Sequence, residues 1–166
     1  MYNATHWRDA CPQTGFDKPP YGDQRTQTKS MSEDCLFVNV WQPNDGQKGN
    51  RSVMFYIHGG SFEHGTIFST QYGGRYLASR GVVLVTVGHR LGSFGFLYGG
   101  TPDAPGNLAL HDQILALKWV HQNIHQFGGD PSKVTIFGES AGAFSIAAMI
   151  MSPLTKGLFV RAIEQS

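Results

Sequence analysis

Residues 138–142 read Gly-Glu-Ser-Ala-Gly, a serine between two glycines. The spacing suits a nucleophilic hydroxyl. Glycine at both flanks lets the backbone turn sharply and approach its neighbours, which leaves the Ser140 Oγ exposed at the turn. The chain has 21 glycines in 166 residues, so the pentapeptide alone is a moderate signal. A serine that attacks a carbonyl carbon creates an oxyanion, and that charge needs preorganised backbone donors. Tyr-Ile-His-Gly-Gly-Ser-Phe at 56–62 offers them, an apolar run entering a Gly-rich loop. The candidate donors are the N–H groups of Gly60, Ser61 and Ala141. Ser61 stands where loops of this kind carry a third glycine, a change that a backbone donor tolerates. The competing interpretation is a surface turn that happens to hold two glycines.

Such a serine needs a strand before it and a helix after it, because the turn between them is strained. Val134–Phe137 reads as the strand and 141–151 as the helix, so Ser140 meets the positive end of a helix dipole. Upstream, 36–41 alternates apolar and polar residues as a half-buried strand does. Residues 42–52 carry turn chemistry with Asp45-Gly46 as a hairpin tip, and 53–57 is a short apolar strand able to pair antiparallel with the first. Residues 81–87 form a continuous, mostly β-branched run, as in a parallel strand covered on both faces. Leu110, Ile114, Leu117, Val120, Ile124 and Phe127 recur at three and four, predicting a helix over 108–126. Asn107 is its expected N-cap, and Gly128-Gly129 with Pro131 its stop. Residues 159–166 begin a further strand. Alternating strands and helices predict a three-layer α/β fold with a mostly parallel sheet flanked by helices and an N-terminal antiparallel hairpin.

Hydrophobic residues make up 40% of the chain and charged residues 15%, the balance of a globular domain with a core. The net charge of +1 argues against nucleic acid or an anionic membrane as partner. No apolar run reaches the roughly 18 residues that span a bilayer, and the first ten residues lack a charged-then-apolar leader pattern. Cys11 and Cys35 would close one loop in an oxidising compartment and remain two thiols in the cytosol. Asn3 and Asn50 head N-x-S/T acceptors. Together these favour a secreted or lumenal protein.

Ser-Glu-Asp-Cys-Leu-Phe-Val-Asn-Val-Trp at 32–41, the loop at 56–62, His-Arg-Leu-Gly-Ser-Phe-Gly-Phe-Leu at 89–97, the long run at 104–143 and Ala-Ile-Glu-Gln-Ser at 162–166 resemble, in order, the type-B carboxylesterases. This is the carboxylesterase and cholinesterase group of α/β-hydrolases. The resemblance covers most of the chain from residue 32 onward. It implies a partial α/β-hydrolase domain over 1–166, with Ser140 as nucleophile. Glu139 resembles the buried glutamate beside the nucleophile, and Ser166 a second buried serine near the catalytic residues. Cys11 and Cys35 resemble the ends of the family's first disulfide loop, and Arg90 with Asp112 a structural ion pair. Two places depart from the family pattern. Gly88-His89 stands where Asn-Tyr usually precedes the arginine, and Ala109 replaces a common glycine.

In this fold the acid and then the histidine follow the serine in sequence, and the serine needs an imidazole to take its proton. All seven histidines, at 6, 58, 64, 89, 111, 121 and 125, precede Ser140. Glu164 is the one carboxylate after it and comes too early for the family's acid. The chain therefore reads as a fragment, lacking the extreme N-terminus and the part with the acid and histidine, and inactive alone. His58 is expected to support the loop from behind. His121 and His125 lie four apart on one helix, but no Glu follows the first, so no metal site is expected.

The resemblance implies hydrolysis of a small-molecule carboxylic ester through an acyl-serine, with no cofactor. Cholinesterases place a tryptophan inside the first disulfide loop to stack on the quaternary ammonium. Here the aromatics between Cys11 and Cys35 are Phe16 and Tyr21, and Arg25 stands ten residues before Cys35. A cation there would repel choline, so a general carboxylesterase is expected over a cholinesterase. A non-catalytic adhesion relative and a truncated product are the other readings. Oligomeric state and acyl or alcohol preference are not set by these residues.

Overall fold

The computed structural model describes residues 6–14, 30–46 and 49–166. Asn3, Phe16, Tyr21 and Arg25 lie outside the described residues. In chain order the elements are β1 (Val38–Trp41), β2 (Arg51–Ile57), α1 (Arg75–Ser79), β3 (Val83–Val87), α2 (Gly92–Phe96), β4 (Tyr98–Thr101), β5 (Ala104–Pro105), α3 (Leu108–Asn123), β6 (Gly129–Glu139), α4 (Ala141–Met151) and β7 (Arg161–Gln165).

Five strands form one sheet in the order β1-β3-β2-β6-β7. β2, β3, β6 and β7 run parallel, while β1 is antiparallel to β3, with Val38 opposite Val87. The N-terminal strand is thus antiparallel, but its partner is β3 and not β2, which corrects the expected pairing of 36–41 with 53–57. The reason lies in β3. All five of its residues are buried, so it needs a strand on each side and cover on both faces. The parallel crossover through α1 sets β3 beside β2, and β1 takes the remaining edge of β3. Residues 42–50 therefore connect strands that are not neighbours, and Asp45-Gly46 is no hairpin tip. A tight antiparallel hairpin does occur further on, between β4 and β5.

The core fills one face of the sheet. Val53, Phe55 and Ile57 of β2, with Val134 and Ile136 of β6, pack against Leu117, Val120 and Ile124 from α3 and its continuation and against Ile146 and Met149 of α4. Successive strand residues point to opposite faces, so Tyr56 points away from that core. Its ring meets Tyr72 at 5.0 Å and Phe137 at 4.9 Å. The segment 70–79 that carries Tyr72 and α1 therefore covers the opposite face, and the sheet is the middle of three layers.

α3 starts one residue after Asn107, but not as a conventional cap. Asn107 is left-handed, at φ 56°, and its side chain caps nothing. Asparagine tolerates this conformation better than most residues, and its carbonyl still accepts from the His111 N–H at 3.1 Å. At the other end α3 tightens into a 3₁₀ turn over Ile124–Phe127, which left-handed Gly128 closes at φ 77°. Among the described residues no helix is long and apolar enough to cross a membrane.

Candidate active site

β6 carries the chain to Glu139, and α4 begins at Ala141. Ser140 between them adopts φ 52° and ψ −121°, a sparsely populated conformation that stores on the order of 1–3 kcal/mol of strain. The surroundings hold it there. Its N–H donates to the Gln165 carbonyl at 2.9 Å, and its carbonyl accepts from the Phe144 N–H at 3.0 Å. The flanking glycines serve close approach. A Cβ at Gly138 would lie 2.7 Å from the Ile57 carbonyl oxygen, and one at Gly142 only 2.1 Å from it. The end of β2 thus passes so near the turn that neither position can carry a side chain.

β2 then enters the Gly-rich loop, which runs beside the serine. A Cβ at Gly59 would come within 2.7 Å of the Glu139 carbonyl oxygen and 3.1 Å of the Ser140 Cβ. Gly60 has φ 121°, and its carbonyl accepts from the N–H groups of Glu63 and His64, both at 3.0 Å. Ser61 and Phe62 follow at φ 58° and 61°, two successive left-handed residues without the freedom of glycine. The loop is pinned beyond this turn. The Phe62 carbonyl accepts from the Gly92 N–H at 2.7 Å, and the Phe62 ring meets Phe96 at 5.1 Å. Among the described residues the N–H groups of Gly60, Ser61 and Ala141 donate to no backbone carbonyl. The fold thus brings a half-buried serine, a helix N-terminus and a strained loop with unspent backbone donors to one place.

His58 lies behind this loop. It is 2% exposed and stacks on His89, itself 2% exposed, with ring centroids 4.5 Å apart and planes 15° from parallel. The stack continues through Tyr72 at 6.4 Å. Burial, followed by the neighbouring His89, pushes the His58 imidazole down to about 3, against the raising effect of its bond to Gly59. Burial lowers His89 to about 4. Both are therefore neutral. The Nδ1 of His58 lies 2.8 Å from the Gly59 carbonyl and that of His89 3.1 Å from the Arg90 carbonyl, so each Nδ1 carries the proton and donates. His58 is thus a packing and hydrogen-bonding group of the loop, engaged away from the serine. His6, His111, His121 and His125 are exposed. Among the described residues no three His, Cys, Asp or Glu side chains converge as a metal site would require.

Arg90 and Asp112 form a bidentate pair, Nε to Oδ2 at 2.8 Å and Nη2 to Oδ1 at 2.6 Å, and the Arg90 N–H adds a third bond to Oδ2 at 3.1 Å. The Asp112 side chain is 4% exposed and that of Arg90 32%. The hydrogen bonds to Asp112 hold the guanidinium above its ordinary range. A nearly buried carboxylate with three donors ties the start of α2 to α3. Cys11 and Cys35 form a disulfide with Cα atoms 4.9 Å apart. Asn50 is exposed and left-handed, and its Oδ1 accepts from Lys133 Nζ at 2.8 Å.

Two residues differ from the buried positions that the resemblance implies. Glu139 is exposed, and so is Ser166. Both sit at the β7 side of the sheet, where every residue of β7 is exposed and, among the described residues, no further strand pairs with it. Gln13 and Gly65, which the sequence did not single out, prove to be tied to the loop. The Gln13 carboxamide bonds both the N–H and the carbonyl of Gly65, each at 2.9 Å. No local pattern around Gln13 announces this contact, because its partner lies 52 residues away.

The sequence signature of the carboxylesterase family matches residues 1–166. The chain is 48% identical to acetylcholinesterase-1 of Trittame loki, over 99% of its length and 30% of that protein. It is 47% identical to the acetylcholinesterase of Danio rerio, over its whole length and 27% of that protein. It is 54% identical to cholinesterase 1 of Branchiostoma lanceolatum, over 82% of its length and 38% of that protein. The chain thus spans well under half the length of these relatives. A match over its full length, with the serine turn and Gly-rich loop in contact, makes this chain a member of the carboxylesterase family.

Proposed function

We propose that the protein carrying this chain hydrolyses carboxylic esters through an acyl intermediate on Ser140. The observation that carries the proposal is the strained Ser140 backbone, φ 52° and ψ −121°, at the N-terminus of α4 and against the Gly59–Ser61 loop. In this reading the Ser140 Oγ attacks the ester carbonyl carbon, and the N–H groups of Gly60, Ser61 and Ala141 receive the developing oxyanion. The hydroxyl proton passes to an imidazole and from there to the departing alcohol, and water then releases the acid from the acyl-serine. We assign that imidazole and its carboxylate to parts of the protein beyond these 166 residues, since His58 and His89 are spent on the loop and the other described histidines but His64 are exposed. Residues 1–166 alone should therefore show no turnover above background. Glu139 and Ser166 are assigned to support of the site once it is covered. The disulfide favours a secreted or lumenal protein, in which Asn3 and Asn50 are the glycan acceptors.

The proposed substrates are neutral alkyl or aryl esters, because Arg25 stands within the loop that in cholinesterases holds a tryptophan for the ammonium. The printed names of the relatives favour choline esters instead. Both are settled on the intact protein by labelling with a fluorophosphonate, beside Ser140→Ala, and by comparing rates on a neutral ester and a choline ester. Labelling lost in Ser140→Ala, with faster turnover of the neutral ester, is the expected outcome. Preference for the choline ester would reverse the substrate assignment, and an unlabelled wild type would point to a non-catalytic binding relative.

A further inference from the structure

The loop beside Ser140 is held from behind by a chain of contacts that begins at the disulfide. Gln13 follows Cys11 by two residues, and its carboxamide is fully engaged. Oε1 accepts from the Gly65 N–H at 2.9 Å, while Nε2 donates to the carbonyls of Gly65 at 2.9 Å and Cys11 at 3.0 Å. Gly65, at φ 126°, in turn packs directly beneath His58. A Cβ there would lie 2.4 Å from the His58 Nδ1 and 2.8 Å from the Gly59 carbonyl oxygen. The His58 Nδ1–H donates to that same oxygen at 2.8 Å.

The last contact acts on a donor. The Gly59 carbonyl and the Gly60 N–H belong to one planar trans peptide, in which the two bonds point in opposite directions. Holding the oxygen back toward His58 therefore aims the Gly60 N–H outward from the loop. Rotation of this peptide would withdraw the donor, and the flanking residues permit it once the His58 bond is lost: Gly59 and Gly60 are the two residues with the widest choice of backbone conformation.

We propose that Gln13 is a positioning residue for the loop beside Ser140, the tie through which the Cys11–Cys35 crosslink restrains the Gly59–Gly60 peptide. The proposal rests on the esterase reading for its effect on rate, but not for its effect on the loop. Loosening the peptide misplaces one oxyanion donor while leaving the substrate's binding surfaces intact. It should therefore act on kcat and not on KM.

The test uses the intact protein and the variants Gln13→Ala and Gln13→Glu. In Gln13→Ala, amide hydrogen exchange across 58–66 should quicken at least about tenfold, and kcat with the rate of fluorophosphonate labelling should fall about 10- to 100-fold. KM should stay within about threefold. Gln13→Glu keeps the acceptor for Gly65 N–H but offers its carbonyl a charged oxygen in place of a donor. Its activity relative to wild type should recover as the pH falls and the carboxyl regains a proton, which a merely structural role would not produce. If Gln13→Ala does not fold, Gln13→Glu alone decides. Unchanged exchange over 58–66, or a rise in KM with kcat intact, would overturn the proposal. A wild type that neither labels nor turns over esters would sink the esterase reading, and the exchange measurement would still decide whether Gln13 holds the loop.

Discussion

The two walls beside Ser140 are built by different means. On the β6–α4 side, the turn is fixed by backbone meeting backbone. Gly138 and Gly142 clear the Ile57 carbonyl, the Ser140 N–H reaches Gln165, and α4 packs its Ile146 and Met149 into the main core. On the loop side, which holds left-handed Ser61 and Phe62, Gly65 is tied by Gln13 from the N-terminal segment and the Gly59 carbonyl by His58, itself stacked on His89. The first wall is part of the fold's core, so disturbing it should unfold the protein. The second rests on a few polar bonds, so disturbing it should change rate before stability.

The largest contrast is expected from two glycine substitutions in the intact protein. Gly142→Ala places a Cβ 2.1 Å from the Ile57 oxygen, and neither α4 nor β2 can yield without opening the core. It should give no folded protein, or one whose Tm falls by more than 10 °C, roughly the effect of several kcal/mol. Gly65→Ala meets the His58 ring at 2.4 Å, within the loop, and carries the strain of φ 126°. It should abolish most fluorophosphonate labelling while far-UV circular dichroism stays native. Equal loss of structure in both variants would dissolve the distinction between the walls.

A smaller effect sharpens the claim of strain. Ser140→Ala and Ser140→Gly should both be unlabelled, yet the glycine variant relaxes φ 52° and ψ −121°. Urea denaturation should find it more stable than the alanine variant by about 1 kcal/mol, the strain relieved less the entropy that glycine loses on folding. A more stable alanine variant would mean that the turn is not strained.

The gentlest test is pH. His58 and His89 are neutral when folded, at about 3 and about 4, against an ordinary 6.5 when unfolded. Below pH 6.5 the unfolded chain binds protons that the folded one refuses, so stability is fully present above that pH. It is lost as the pH falls toward 4, by up to about 1.4 kcal/mol per pH unit for each imidazole. His89→Phe should flatten this slope in denaturation midpoints measured from pH 7 to 4.5. His121→Asn with His125→Asn should move the midpoint at pH 7 by no more than the equivalent of about 0.5 kcal/mol per substitution, since both side chains are exposed.

Those two histidine pairs show where sequence reading succeeds and where it stops. His121 and His125 are spaced as helix neighbours, and spacing alone draws attention to them, yet both stand exposed in the structure. His58 and His89 sit on different elements and meet face to face. The serine turn was legible because its requirements are local: a strand, two glycines, a serine and a helix are consecutive in the chain. The helix expected over 108–126 was legible as far as Asn123 because its apolar period is local too. The partner of β1 was not, since the same alternating strand can pair with any neighbour, and only the burial of β3 on both sides decided it. Nor could local patterning show that Asn107 would enter its helix left-handed and uncapped.

The sequence by itself determined the family and pointed to Ser140 and the candidate donors, because each rests on residues adjacent in the chain whose backbone chemistry admits few alternatives. The tertiary structure alone decided what holds the donor loop. Gln13, Gly65, His58 and His89 are separated along the chain and joined by a pair of hydrogen bonds, one close packing contact and one ring stack. Such contacts depend on the position of a side-chain atom to within a few tenths of an ångström, which only the packed sheet and its flanking layers can set.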